Sequence, residues 1–299
     1  MDDAYINKKN NTNTLNILVA GLARNCGKTI AKDVNRISVA LTKFKSVEWL
    51  IIESDSNDNT ISVLDILSKN TPFFRYISLG KLREKIPSRT ERIAYCRNKY
   101  LDELKKNSRY ENIDFVLIAD LDGINSHVNE ASISSCWEHN NWDVCTANQT
   151  GPYYDVWALR HPAWSPNDCW EQYEFLIKHK VSRSKALNNA VYSRMIFIER
   201  NAPWIEVESA FGGLAIYKKM TLVTSQYIGV RNDGKEICEH VELHRQINEK
   251  GYKIFINPNL INSNYTEHSN NTKCIPQLKN RLKDLVRIIK HYPKMRTRR

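Results

Sequence analysis

A chain of 299 residues, 41% hydrophobic and 26% charged, carries enough apolar material for a substantial core. Its formal charge of +11 favours anionic partners, but ten of the lysines and arginines lie between Lys273 and Arg299, against one acidic residue, Asp284. The body is therefore near balance, which argues against a nucleic-acid binder, since that function asks for a basic stripe across the fold.

The start, "MDDAYINKKNNTNT", is polar and unlike a signal peptide, and it reads as a disordered lead-in over residues 1–14. "LNILVAGLA" is a short apolar run of the kind that a buried strand gives, and residues 28–45 carry helical spacing through Ile30, Val34, Ile37, Ala40, Leu41 and Phe44. "VEWLIIES" predicts a second strand, "DSNDNT" a polar turn and "ISVLDILSKN" a helix; "FFRYISL" predicts a third strand. "SRTERIAYCRNKYLDELKKN" predicts a helix capped by Ser88 or Thr90, and "IDFVLIADLDG" a fourth strand running into acids. Strand and helix alternate with short connections, so the fold class is α/β, with a mostly parallel, Rossmann-related central sheet flanked by helices.

Beyond Gly123 the rhythm loosens. Residues 130–140 suggest a short helix and "WDVCTANQ" a strand; "GPYYDVWALRHPAWSPNDCW" reads as an aromatic loop suited to lining a pocket. "PWIEVESAFGGLAIYKK" returns to strand character, "ICEHVELHRQINEKG" is a helix, and "YKIFINPN" is a final strand. The polar run "NSNYTEHSNNTK" marks the boundary between a catalytic domain at 15–262 and a basic tail at 263–299. In that tail Leu278, Leu282, Leu285, Val286 and Ile289 share one side of a predicted amphipathic helix. Such a helix can lie on an anionic membrane or dock on the catalytic domain. Seven cysteines without a C-x-x-C pair give no support to structural zinc and fit reduced thiols in a cytoplasmic protein. No 18-residue apolar run occurs, so any membrane association would be peripheral, on the cytoplasmic face.

Two motifs carry chemistry. Asp120 and Asp122 end a buried strand, where parallel-sheet proteins bind ligands, and paired carboxylates there suit Mg2+ or Mn2+ beside substrate phosphates. Glu53 and Asp55 end an earlier strand in the same way. The tract "GLARNCGKT" ends like a phosphate-binding P-loop, but Leu22 stands where that loop needs its first glycine. Asp120 also suits the strand-ending aspartate of a P-loop phosphotransferase or NTPase, which keeps that class in competition.

The order of "NILVAGLARN", "WLIIESDSNDNT", "RIAYCRNKYLDEL", "FVLIADLDG", "FGGLAIYKK" and "CEHVELHRQINEKGYKIFINP" resembles nucleotide-sugar glycosyltransferases of the GT-A fold. It is similar to the family-2 group and to fungal mannosyl- and capsule-associated transferases, over roughly residues 15–260. The resemblance implies transfer of a sugar from a UDP- or GDP-linked donor to a glycan or lipid-linked acceptor. By that match Ala20, Gly21, Leu22 and Arg24 border the base, and Glu53 or Asp55 reaches the base or ribose. Asp120 and Asp122 are the D-x-D motif, with Asp122 the chief metal ligand, and His268 stands where a late histidine often joins the metal. Arg97, in "CRN", matches a segment on the helix before the D-x-D; Arg89 and Arg92 share that helix and can meet the diphosphate. Phe211, Gly212 and Gly213 match the acceptor-side segment, and Tyr154, Asp155, Trp157 and Arg160 form a candidate sugar-binding group. The catalytic base falls at Glu239 or His240, since the usual Glu-Asp pair reads Glu-His here.

Overall fold

The structure, a computed structural model, describes residues 12–267 and residue 269. Eight strands form one sheet in the order β3-β2-β1-β4-β7-β5-β8-β6. The first half is β1 (Asn16–Ala23), α1 (Ile30–Ala40), β2 (Ser46–Glu53), α2 (Thr60–Asn70), β3 (Phe74–Ser78), α3 (Arg89–Lys106) and β4 (Phe115–Asp120). These four strands pair in parallel, as their β-α alternation predicts. The chain then adds α4 (Glu130–Ser134), β5 (Val144–Gln149), α5 (Cys169–Lys178), α6 (Arg183–Ala190), β6 (Ile205–Val207), β7 (Leu214–Lys218), α7 (Lys219–Val223), α8 (Glu239–Asn248) and β8 (Ile254–Ser263). β7 runs antiparallel between β4 and β5, and β6 runs antiparallel along β8.

Alternation along the strands divides the core between two faces. Leu18, Ala20, Leu50 and Ile52 pack with Tyr100, Leu101 and Leu104 of α3 and with Leu243 and Ile247 of α8. Ile17, Val19 and Ile51 face the other way, toward Ile30, Val34 and Ile37 of α1 and Leu64 of α2. Strand order reverses between β1, which leads out to β2 and β3, and β4, which begins the other half. That switch point is where an open α/β sheet leaves a crevice beyond its strand ends.

Several boundaries differ from the sequence reading. Thr12–Thr14 form a short 3-10 turn rather than lead-in, while the rest of that segment lies outside the described residues. The "PWIEVESAFGGLAIYKK" tract is two strands on different neighbours, β6 along β8 and β7 between β4 and β5, and the connection between them includes Gly212 and Gly213 at φ of +71° and +85°. β8 continues through Ser263 across the expected boundary at 262. Its polar Asn262 is buried because its amide donates to Asn125 Oδ1 (2.9 Å) and to the Gly212 carbonyl (2.8 Å). Helix α5 begins at Cys169, inside the tract expected to be an aromatic loop through Trp170, and packs against α6. The amphipathic tail and His268 lie outside the described residues.

Candidate functional site

The crevice at the switch point is a cleft of about 760 Å³. Its floor is made by the strand ends: Leu22, Ala23 and Arg24 from β1, Ser54 and Asp55 after β2, and Asp120 to Asp122 after β4. Arg89, Arg92 and Arg97 come from α3, whose start is capped by the Ser88 hydroxyl on the Glu91 amide (3.3 Å). Tyr154, Asp155 and Trp157 come from the aromatic loop, Phe211 from the β6–β7 connection, and Glu239 and His240 from the first turn of α8.

One arginine ties the two sides together. Arg97 Nε donates to Glu239 Oε1 at 2.9 Å, and its Nη2 lies 3.4 Å from Asp120 Oδ1. Its guanidinium also lies 5.4 Å from the Phe211 ring centroid and 5.6 Å from that of Tyr227, so cation–π contacts hold it from both sides. Asp120 keeps 39% of its side-chain surface open, yet its carboxyl is pushed up to about 7. Burial is the main cause and the charge of Asp122 adds to it, while Arg97 opposes. Two carboxylates one residue apart at the end of a strand suit a cation. Among the described residues no three metal-binding side chains converge, so a bound ion would rest on Asp120 and Asp122 and draw its other oxygens from substrate phosphate and water.

His240 stacks on Phe211, with ring centroids 3.8 Å apart and planes 19° from parallel. Burial, and then the neighbouring Arg97 charge, hold its imidazole well below the usual range, so it is neutral. Neither ring nitrogen has a hydrogen-bond partner, and Nε2 lies 3.7 Å from Glu239 Oε1. Asp55 is likewise poised: Oδ1 accepts the Arg83 amide (2.9 Å), whereas buried Oδ2 has no hydrogen-bond partner and only Arg92 Nε near it at 3.9 Å.

Other expected site residues do structural work instead. Ala20 lies within β1 between two neighbouring strands, fully buried. Gly21 is a packing glycine, since a Cβ there would come within 2.8 Å of the Ala119 carbonyl and 2.9 Å of Leu121 Cδ1. Glu53 is consumed under the floor, accepting from the Ser56 amide (3.0 Å) and the Ser78 hydroxyl. Gly212 and Gly213 act through their backbones: the Gly213 carbonyl accepts the Asp120 amide (3.0 Å), and the Gly212 amide donates to Asp155 (3.0 Å). Arg160 is spent on Asp168 (2.7 Å) and on the Trp157 and Leu159 carbonyls, away from the cleft lining.

The P-loop-like tract also has a structural task. Its amides are already occupied, Asn25 by Ser56 Oγ (3.2 Å), Cys26 by Thr60 Oγ1 (2.9 Å) and Gly27 by Asp58 Oδ2 (3.1 Å). Lys28 is exposed. Thr29 Oγ1 donates to the Leu121 carbonyl (3.3 Å), and buried Asp33 accepts the Gly123 amide (2.8 Å). The tract and α1 therefore brace the D-x-D turn from below. Asn125 braces it from the side, donating to the carbonyls of Asp120 (2.7 Å) and Gly213 (3.1 Å). The sequence reading named neither residue: a lone acid three residues after Ile30 in an apolar stripe is the signal that points to Asp33, and Asn125 has none.

No protein-family profile and no curated protein sequence matches the chain. Among solved structures it is similar to a mannosyltransferase from Pyrobaculum calidifontis in complex with GDP-Man and Mn2+, at 13% identity and a TM-score of 0.46. That match covers 83% of this chain but only 56% of the mannosyltransferase, so the chain spans little more than half of that protein's length. TarS residues 1–349 from S. aureus, in complex with UDP-GlcNAc, match at 14% identity and a TM-score of 0.47, covering 92% of this chain and 66% of that one. Glucosyl-3-phosphoglycerate synthase from Mycobacterium tuberculosis, in complex with UDP, matches at 11% identity and 0.42, covering 88% and 74%.

Proposed function

We propose that this chain is a nucleotide-sugar glycosyltransferase dependent on a divalent cation. The observation that carries the reading is the carboxylate pair at the end of β4, facing a cleft that Arg24, Arg89, Arg92 and Arg97 also line. A nucleoside diphosphate-sugar supplies what such a site lacks: phosphate charge for the arginines and oxygens for a cation on Asp120 and Asp122. Asp55, which lines the cleft beyond β2, is the acid placed to meet the base or the ribose.

In the reaction, an acceptor hydroxyl attacks the anomeric carbon, the bond from that carbon to the diphosphate oxygen breaks, and the hydroxyl proton passes to Glu239. Arg97 holds the Glu239 carboxylate in place, and His240 shields it from water with a neutral ring on Phe211. The cation, when bound, supplies charge neutralisation to the departing diphosphate. Calorimetry with UDP, GDP and ATP, with and without Mn2+, tests the proposal. A nucleoside diphosphate should bind only with the metal, and Asp122→Asn should abolish that binding while the fold persists. Unchanged diphosphate affinity in Asp122→Asn, or tight metal-independent binding of ATP, overturns it. Glycan and lipid-linked acceptors are both open to this site.

A further inference from the structure

Three fully buried side-chain amides stand behind the acid turn without lining the cleft: Asn125 just past the turn, Gln149 at the end of β5 and Asn262 in β8. Asn125 Nδ2 donates to the carbonyls of Asp120 (2.7 Å) and Gly213 (3.1 Å). Asn262 Nδ2 donates to Asn125 Oδ1 (2.9 Å) and to the Gly212 carbonyl (2.8 Å). Gln149 Nε2 donates to Asn262 Oδ1 (3.1 Å) and to the Gly212 carbonyl (3.3 Å).

The polarity of this series is fixed by its end. A carbonyl only accepts, so Asn125 must turn its NH2 to Asp120 and Gly213, which leaves its Oδ1 to accept from Asn262. Asn262 in turn has only Oδ1 left for Gln149. Every polar atom of the three side chains is bonded except Gln149 Oε1. The Gly213 carbonyl also accepts the Asp120 amide (3.0 Å), so each of the two glycine carbonyls takes two bonds. The acid turn and the glycine turn are thus held as one unit, anchored in β5 and β8, which lie beyond β7 from β4. Apolar side chains could fill the same space, but a directed network of this kind specifies one geometry.

We propose that Asn125, Asn262 and Gln149 are positioning residues of the cation site: they fix the backbone of Asp120, and with it how Asp120 and Asp122 face the cleft. The proposal rests on the transferase reading for its cation. Since none of the three lines the cleft, they act only through the turn. Asn148, next to Gln149 in β5, is a matched control. It is equally buried, lies outside the cleft lining, and donates to the Ile198 (3.0 Å) and Pro258 (3.1 Å) carbonyls instead.

Calorimetry of the full chain with Mn2+ and whichever of UDP and GDP wild type binds tests the assignment, with urea titrations of the same variants. Asn262→Ala should weaken Mn2+-supported binding about tenfold or more, the scale on which outer partners of metal ligands act. Gln149→Met, which keeps the side-chain length but ends the series one amide earlier, should give a smaller loss. Asn148→Ala should lower the urea midpoint as Asn262→Ala does, yet bind the diphosphate as wild type. Unchanged affinity in Asn262→Ala overturns the proposal, and so does an equal loss of affinity in Asn148→Ala, which would mark a general effect of destabilisation. If circular dichroism shows Asn262→Ala unfolded, Gln149→Met decides on the same terms. No Mn2+-dependent binding by wild type removes the transferase reading and this proposal together; wild-type binding that Asn262→Ala retains removes the proposal alone.

Discussion

Arg97 is a single buried cation shared by two carboxylates of the site, at 2.9 Å from Glu239 and 3.4 Å from Asp120. Removing one partner from such a buried group costs more than the pair contributes, because the remaining charges stay desolvated. Arg97→Met should therefore lower unfolding stability by ~3–5 kcal/mol in urea titrations. A loss within experimental error of zero would mean that water already screens both carboxylates. Glu239→Gln keeps the shape and an acceptor oxygen for Arg97 but cannot take a proton. With a donor and acceptor in hand, transfer should fall by roughly 10²–10⁴-fold with donor affinity nearly unchanged. Near-normal transfer would remove Glu239 as the base and leave His240, the other position that the sequence allowed.

Elements meet at glycines where a side chain has no room. A Cβ on Gly229 would fall 2.1 Å from the Thr90 carbonyl oxygen and 2.3 Å from its carbon, in the first turn of α3. A Cβ on Gly27 would meet an atom equally close, but that atom is Oδ1 of the exposed Asn59 side chain, and the nearest backbone atom, Thr60 N, is 3.0 Å away against 2.1 Å for the Thr90 oxygen at Gly229. Backbone at a helix start cannot withdraw, whereas an asparagine can change rotamer. Gly229→Ala should thus cost several kcal/mol, on the order of an overpacked core, and Gly27→Ala under about 1 kcal/mol. Thermal melts of the two variants compare them directly, and equal losses would refute the distinction. Lys28→Ala belongs with the mild change: exposed, beside amides that are already bonded, it should leave nucleotide affinity nearly unaltered. A large loss of affinity would restore the P-loop reading.

At the scale of the whole molecule, two buried histidines of α8 make stability depend on pH. His244 is held between Ser209 Oγ and Tyr217 Oη, each at 2.9 Å, and burial pushes its imidazole from 6.5 down to about 3. A depressed folded pKa means that the unfolded chain takes up the proton first. The stability this ring contributes is full above pH 6.5 and is lost as pH falls toward 3. The slope is about 1.4 kcal/mol per pH unit for one proton, and His240, shifted the same way, adds to it. Asp33 opposes, because burial raises its carboxyl from 3.8 to about 6, so its contribution is full below 3.8 and is lost as pH rises through 6. His244→Gln keeps hydrogen-bonding capacity without titrating. Between about pH 6.5 and 5 it should lose ~2 kcal/mol less than wild type in urea midpoints converted to free energy. Parallel pH profiles would rule out His244 as the source.

The parallel half-sheet was legible because each of its strands is an apolar run, separated from the next by a helix with a 3.6-residue stripe; both signals are local. The acid pair was legible for the same reason, since a strand end can be counted along the chain. Burial of Asn262 in β8 was not, because a polar residue enters a core only when a distant partner, here Asn125, satisfies it. Nor could spacing tell that the Gly27-Lys28-Thr29 tract braces the turn after Asp122 instead of cradling phosphate. That depended on Ser56, Asp58 and Thr60 folding back onto its amides. The two glycines after Phe211 looked like site residues and serve as a backbone clamp, while Arg97 was one of three arginines on a helix until folding set Glu239 against it. Periodicity and strand ends are properties of neighbours in the chain, so the sequence by itself determined the sheet's first half and the location of its acids. Which polar groups remain open to a ligand depends on contacts between residues 31 to 142 positions apart, and only the tertiary structure decided that.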